Sequence, residues 1–107
     1  MKFVNLTPHT LVIEGVGTLP ASGIVARVAT IRTQLGAVAG VRVVAQNLGR
    51  VEGLPDAKAD TAYVVSALVL DAIKRQSLSR GDVYAPDTGP DAVRENGQIV
   101  AVRGLVV

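Results

Sequence analysis

The sequence predicts an α+β domain: a mostly antiparallel sheet, or a partly closed small barrel, of about seven or eight short strands with one helix at about residues 66–76. Three observations carry this. Thr61 to Arg75 is the one stretch that reads as a strand running straight into a helix. Most of the remaining chain is short apolar runs broken by Gly, Pro, Asn and Asp. Asn96-Gly97 stands between two such runs, and this pair tolerates the positive φ that a two-residue hairpin turn needs at both positions.

Taken in order, Lys2 to Leu6 is a short strand, and Thr7-Pro8 enforces an extended or turn geometry. Thr10 to Glu14 is a second strand, turned by Gly15-Val16-Gly17, and Leu19 to Gly23 is a loop. Ile24 to Arg32 reads as a longer strand with Arg27 on the face of Val25, Ala29 and Ile31. Gly36 to Gly40 has turn character, and Val41 to Gln46 is a further strand. Arg50-Val51-Glu52 is a short extended piece between Asn47-Leu48-Gly49 and Gly53-Leu54-Pro55-Asp56. Tyr63, Val64 and Val65 are β-formers. Ser66 then caps a helix whose apolar positions are Val65, Val69, Ala72 and Ile73. Asp82 to Ala85 is a brief strand, and Ala92 to Glu95 and Gln98 to Arg103 flank the Asn-Gly turn. The apolar stretch Gly104 to Val107 is expected to pair as a strand or to be buried at a subunit contact, since a free apolar edge is adhesive.

Composition bounds the function classes. A chain of 107 residues fits one domain, and 49% apolar against 19% charged residues excludes disorder. Phe3, Tyr63 and Tyr84 are the only aromatics, so the core is aliphatic. A net charge of +2 is too balanced to mark a nucleic-acid binder. Arginine outnumbers lysine eight to three, which suits anion binding but also follows from a GC-rich coding sequence. No cysteine and a single histidine leave no zinc signature and no cofactor motif. Met1 to Asn5 turns polar too early for a signal peptide, and no run reaches the roughly 20 apolar residues of a membrane span. The expectation is a cytoplasmic protein.

Four polar blocks are candidate sites. In Thr7-Pro8-His9-Thr10, His9 is suited to acid–base chemistry or to donating to a phosphate, or it is a turn histidine bonded to a carbonyl. A phosphodiesterase of the two-histidine type is excluded, because it needs two His-x-Thr blocks. Pro20-Ala21-Ser22-Gly23 with Arg27 could present N–H groups and a guanidinium to an anion, or be a plain connection; it is too short for a P-loop and lacks its lysine. Arg80-Gly81-Asp82 either pairs internally or clamps a phosphate with Arg80 while Asp82 positions it. Pro86-Asp87-Thr88-Gly89-Pro90 is a stiffened loop holding an acid and a hydroxyl. Its Asp-Thr-Gly triplet matches that of aspartic proteases but sits late, between prolines and after the helix; the competing reading is a turn in which Asp87 bonds its own downstream backbone.

These blocks, in order with Asn5-Leu6, Ala26-Arg27-Val28, Gly53-Leu54-Pro55, Tyr63 to Ser66 and Val93-Arg94, resemble a family of small uncharacterised proteins of bacteria and their phages that open with an Asn-Leu-Thr-Pro-His block. The resemblance spans nearly the whole chain. It implies a compact single-domain protein of bacterial or phage origin and brings no activity.

The leading expectation is a non-catalytic binding module. Thr7, His9, Ser22, Arg27, Arg80, Asp82, Asp87, Thr88 and Arg94 would line one cleft for a small anionic, nucleotide-like ligand. In a phage setting such a protein would sequester a nucleotide signal of host defence. The rivals are a small enzyme using His9 and an Asp as acid and base on a nucleotide or phosphoester, and a structural or protein-interaction domain without a ligand. A homodimer or higher homo-oligomer is also expected, because so small a domain buries a modest fraction of its surface alone.

Overall fold

The computed structural model describes residues 2–76 and 80–107. They form ten strands and one helix, with no closed barrel. The centre is a four-stranded sheet in the order β1-β6-β7-β10, built from Lys2–Asn5, Thr61–Val64, Val83–Pro86 and Leu105–Val106. β1 runs parallel to β6, and β6 parallel to β7. β10 closes the edge antiparallel to β7, with Leu105 opposite Pro86. The apolar stretch at 104–107 is therefore paired as a strand. The expected antiparallel preference holds in the hairpins and at β10, but not at the heart of the sheet.

Parallel strands are covered on both faces, so they read as unbroken apolar runs. Ala62, Tyr63, Val64 and Val65 are all buried. The helix α1, Ala67–Arg75, is the crossover between β6 and β7. Its start lies one residue inside the expected range: Ser66 is the N-cap, and its hydroxyl accepts from the Val69 N–H at 3.3 Å. Val69, Leu70 and Ile73 pack with Leu6, Tyr63, Val65, Val83 and Ala85 in one cluster. Each such aliphatic side chain contributes about 1.5–3 kcal/mol through burial.

Three antiparallel hairpins surround the sheet. β2 (Leu11–Ile13) pairs with β3 (Gly17–Leu19), and β8 (Val93–Glu95) with β9 (Gln98–Ala101). Asn96 and Gly97 have φ of 52° and 80°, so the expected Asn-Gly turn is in place. The third hairpin joins β4 (Arg27–Val38) to β5 (Val41–Glu52). It is longer than the sequence suggested. Gly36 was expected to open a turn, yet the strand continues through it with a bulge between Gln34 and Gly36, and the reversal falls at Ala39-Gly40. Asn47 to Gly49, expected as a break, is likewise carried within β5. Val28 and Val51, at the base of this long arm, rest on the central cluster.

Candidate functional site

In open sheets with parallel strands, ligands bind at the carboxyl ends of the strands. The segments leaving β1, β6 and β7 at those ends are Thr7–Thr10, Ser66–Ala67 and the proline-rich loop at Thr88. They enclose a cleft of about 460 Å³, walled by Leu11, Pro86, Ile99 and Val102 as well. The far wall is supplied by two hairpins tied together: Ile13 bridges Val102, Glu14 N–H donates to the Val102 carbonyl at 2.8 Å, and Val102 N–H donates to Val12 at 2.9 Å.

The loop carrying His9 is held from below by Asn5, which is 2% exposed. Its amide nitrogen donates to the carbonyls of His9 (2.8 Å) and Leu19 (3.0 Å). Its Oδ1 accepts from the Thr7 N–H (3.0 Å) and the Thr7 hydroxyl (2.6 Å). The Thr7 hydroxyl also lies 3.0 Å from the His9 carbonyl. This fixes the backbone of residues 5–9 and leaves the His9 side chain exposed at the cleft. On the opposite side, the first-turn N–H groups of α1 lack intrahelical acceptors and carry the positive end of the helix dipole. Ser66 takes one of them, and Ala67 lines the cleft.

Thr7, His9 and Thr88 are thus brought together; the other expected site residues do not line this cleft. Arg80 and Asp82 precede β7 and lie at its amino end, away from the cleft. Arg80 Nε and Nη2 donate to the two oxygens of Asp82 at 2.9 and 3.0 Å, and Nη2 also donates to the Pro55 carbonyl at 2.9 Å. The guanidinium stands 5.9 Å from the centroid of the Tyr63 ring. The hydrogen bond from Arg80 holds the Asp82 carboxyl below the usual carboxylate range, against the opposing effect of its burial. The pair staples the loop at residues 54–56 to the start of β7.

Ser22 closes a local turn with Ile24, its hydroxyl accepting from the Ile24 N–H at 3.3 Å. Arg27 is exposed at the base of the arm, paired in register with Glu52. Asp87 Oδ1 accepts from the Gly89 N–H at 3.0 Å, the turn reading of the proline loop. Arg94 donates to the carbonyls of Thr88 (3.1 Å) and Gly89 (3.2 Å), so it positions the loop that carries Thr88. His9, Arg27 and Arg80 do not converge, because each arginine answers to a local partner or to solvent.

Among the described residues, His9 is the only titratable side chain lining the cleft. Among the described residues no three His, Cys, Asp or Glu side chains group as for a metal. The arrangement offers hydroxyls, an imidazole and a helix N-terminus around an apolar wall, which suits binding and orienting a molecule more than transferring its protons. Sequence reasoning missed Asn5 and the cleft role of Ser66. The Asn5-x-Thr7 spacing just before a proline was the available signal, since an Asn side chain in that position accepts from the backbone two residues on. A second groove, of about 530 Å³, lies between α1 and β5. Its acid and base, Asp71 and Arg75, pair with each other across one exposed helical turn at 2.8 Å. No helix of the described residues is long and apolar enough to cross a membrane. Compared with family models, curated proteins and solved structures, the chain has no match in any of the three.

Proposed function

We propose that the chain is a non-catalytic binding protein whose ligand, a small nucleotide-like anion, sits in the cleft between Thr7–His9, the start of α1 and Thr88. The observation that carries this reading is the position of the cleft at the carboxyl ends of three parallel strands, with the α1 N-terminus opening into it. Helix N-termini favour anions because their N–H groups and dipole point outward. The wall of Leu11, Pro86, Ile99 and Val102 suits the flat apolar face of a base. Hydroxyls of Ser66 and Thr88 suit a sugar or phosphate rim. The anion is then met by the helix end and His9 in place of the arginines expected from sequence. Among the described residues His9 lines the cleft without an Asp or Glu beside it. A protein of this kind acts by occupancy: it withdraws its ligand from solution, as a phage protein sequestering a nucleotide signal would.

The test is a titration of isotope-labelled protein with adenosine monophosphate and with a cyclic dinucleotide, followed by amide chemical shifts. Shifts should concentrate at residues 7–11, 66–68, 86–88 and 99–102. His9→Ala and Thr88→Val should each weaken binding about 10-fold, the size of one hydrogen bond. Shifts centred on Arg80–Asp82 or on the arm, or no shifts at millimolar ligand, would reject the cleft as a nucleotide site.

A further inference from the structure

The β4–β5 arm shows a division of its two faces that the cleft does not use. Cross-strand partners share a face of a ribbon. One face carries Thr30 with Leu48, Arg32 with Gln46, Gln34 with Val44, and Ala37 with Arg42. The other carries Ile31 with Asn47, Thr33 with Ala45, Val43 with the bulged Leu35-Gly36, and Val38 with Val41. From Ile31 to the tip this second face holds no charge. Yet Ile31, Leu35, Val38 and Val41 are 56%, 64%, 67% and 66% exposed. At the base, Val28 and Val51 pack on the core, so the arm's attachment to the body leaves the outer part of the apolar face, from Ile31 to Val41, exposed.

We infer that this face is covered by the same face of a second copy of the chain. A two-stranded ribbon is marginal on its own in water, so the outer arm needs a cover that is present whenever the chain is made. The surface area agrees. A compact monomer of 11.1 kDa exposes about 5,700 Å², whereas this chain exposes 7109 Å². The excess, about 1,400 Å², is shared between the two faces of the ribbon, and half of it, about 700 Å², is close to the roughly 800 Å² that each partner buries in a standard interface. The radius of gyration is 16.4 Å, against about 13 Å for a compact chain of this length. The apolar face also suits a two-fold contact, in which the same patch opposes itself, because an uncharged patch meets no like charge there. Arg32 and Arg42 lie on the opposite face and stay in solvent when two apolar faces close at the ~10 Å spacing of packed sheets. The inference is independent of what the cleft binds.

Light scattering and sedimentation of the full chain test it. At high micromolar concentration the wild type should have twice the single-chain mass. Leu35→Lys should raise the dissociation constant at least about 100-fold, because it buries an unpaired ammonium. Val41→Glu should do the same at the tip, by burying an unpaired carboxylate. Neither site belongs to the central cluster, so both variants should keep the cooperative unfolding of the body, while any loss of far-UV signal should be confined to the strands of the uncovered arm. Gln34→Lys, on the opposite face, should leave the dimer intact. A wild type at single-chain mass overturns the inference, and so does covering of the arm by another protein or by nucleic acid in place of a copy. A dimer that survives both Leu35→Lys and Val41→Glu, or that dissociates equally with Gln34→Lys, also overturns it.

Discussion

Asn5→Asp is the most informative single change, because it keeps the shape of the side chain and reverses half of its hydrogen bonding. Oδ1 still accepts from the Thr7 N–H and hydroxyl. The two N–H donors to His9 and Leu19 are replaced by an oxygen that faces their carbonyls. Two lost hydrogen bonds account for about 2 kcal/mol. A carboxylate at a position only 2% exposed, repelled by two carbonyl oxygens, adds about 1–3 kcal/mol more. The expected loss near neutral pH is therefore about 3–5 kcal/mol, a large part of the 5–15 kcal/mol that holds a domain folded. The pH dependence follows from the same geometry. Burial and the facing carbonyls raise the introduced carboxyl above its unfolded value of about 3.9 in the folded state. A folded-state pKa raised in this way favours folding below the unfolded value and loses that benefit as pH rises through the folded one. The gap between variant and wild type should be widest at neutral pH and narrow as pH falls toward 4. Urea unfolding followed by circular dichroism at both pH values measures it. A loss under about 1 kcal/mol at neutral pH, or an equal loss at both, would refute the reasoning that Asn5 holds the cleft loop through its donors.

Asp82→Asn should cost about 1–2 kcal/mol at neutral pH through loss of the charge-assisted pairing with Arg80. Because the folded-state carboxyl of Asp82 titrates low, this contribution is present above its unfolded value and fades as pH falls below about 4; equal urea midpoints at neutral pH would contradict it. Ser66→Ala should lower stability by about 1 kcal/mol, the worth of an N-cap, read as a shift in chemical melting midpoint. Gly53 has φ of +79°, and a Cβ there would collide with the Val25 carbonyl oxygen. Gly53→Ala should therefore destabilise by about 2–4 kcal/mol, and a melting temperature within 2 °C of wild type would show that the loop absorbs the clash without cost.

Signals that are local in the chain were legible. Ser66 could be read as a cap because capping needs only a hydroxyl before an apolar helical pattern. Asn96-Gly97 could be read as a turn because the conformation is a property of those two residues. The turn reading of Asp87, the plain connection at Ser22 and the pairing of Arg80 with Asp82 were open alternatives that the geometry selects. The parallel pairing of β1 with β6 was not legible, since nothing in Lys2–Asn5 encodes a partner at Thr61–Val64. The length of the arm was hidden by Gly36 and Asn47-Leu48-Gly49, which read as breaks; in the fold they lie within strands, near the bulges at either end of the ribbon. Of the expected site, the Thr7–His9 block and Thr88 met, because both follow parallel strands at the same end. The arginines had no such constraint.

The parallel sheet also dictates an order of events along the chain. Each hairpin joins neighbours in sequence and can form in about microseconds. β1 cannot begin its ladder until Thr61–Val64 arrives, and β6 has no second neighbour until Val83–Pro86 follows α1. On a ribosome, both strands of the arm would therefore be available to pair while Phe3, Val4 and Leu6 still wait for their strand. Closing that long loop is the slow, entropically costly step. The refolding rate should consequently respond to substitutions in β1 and β6 and hardly at all to those in the arm.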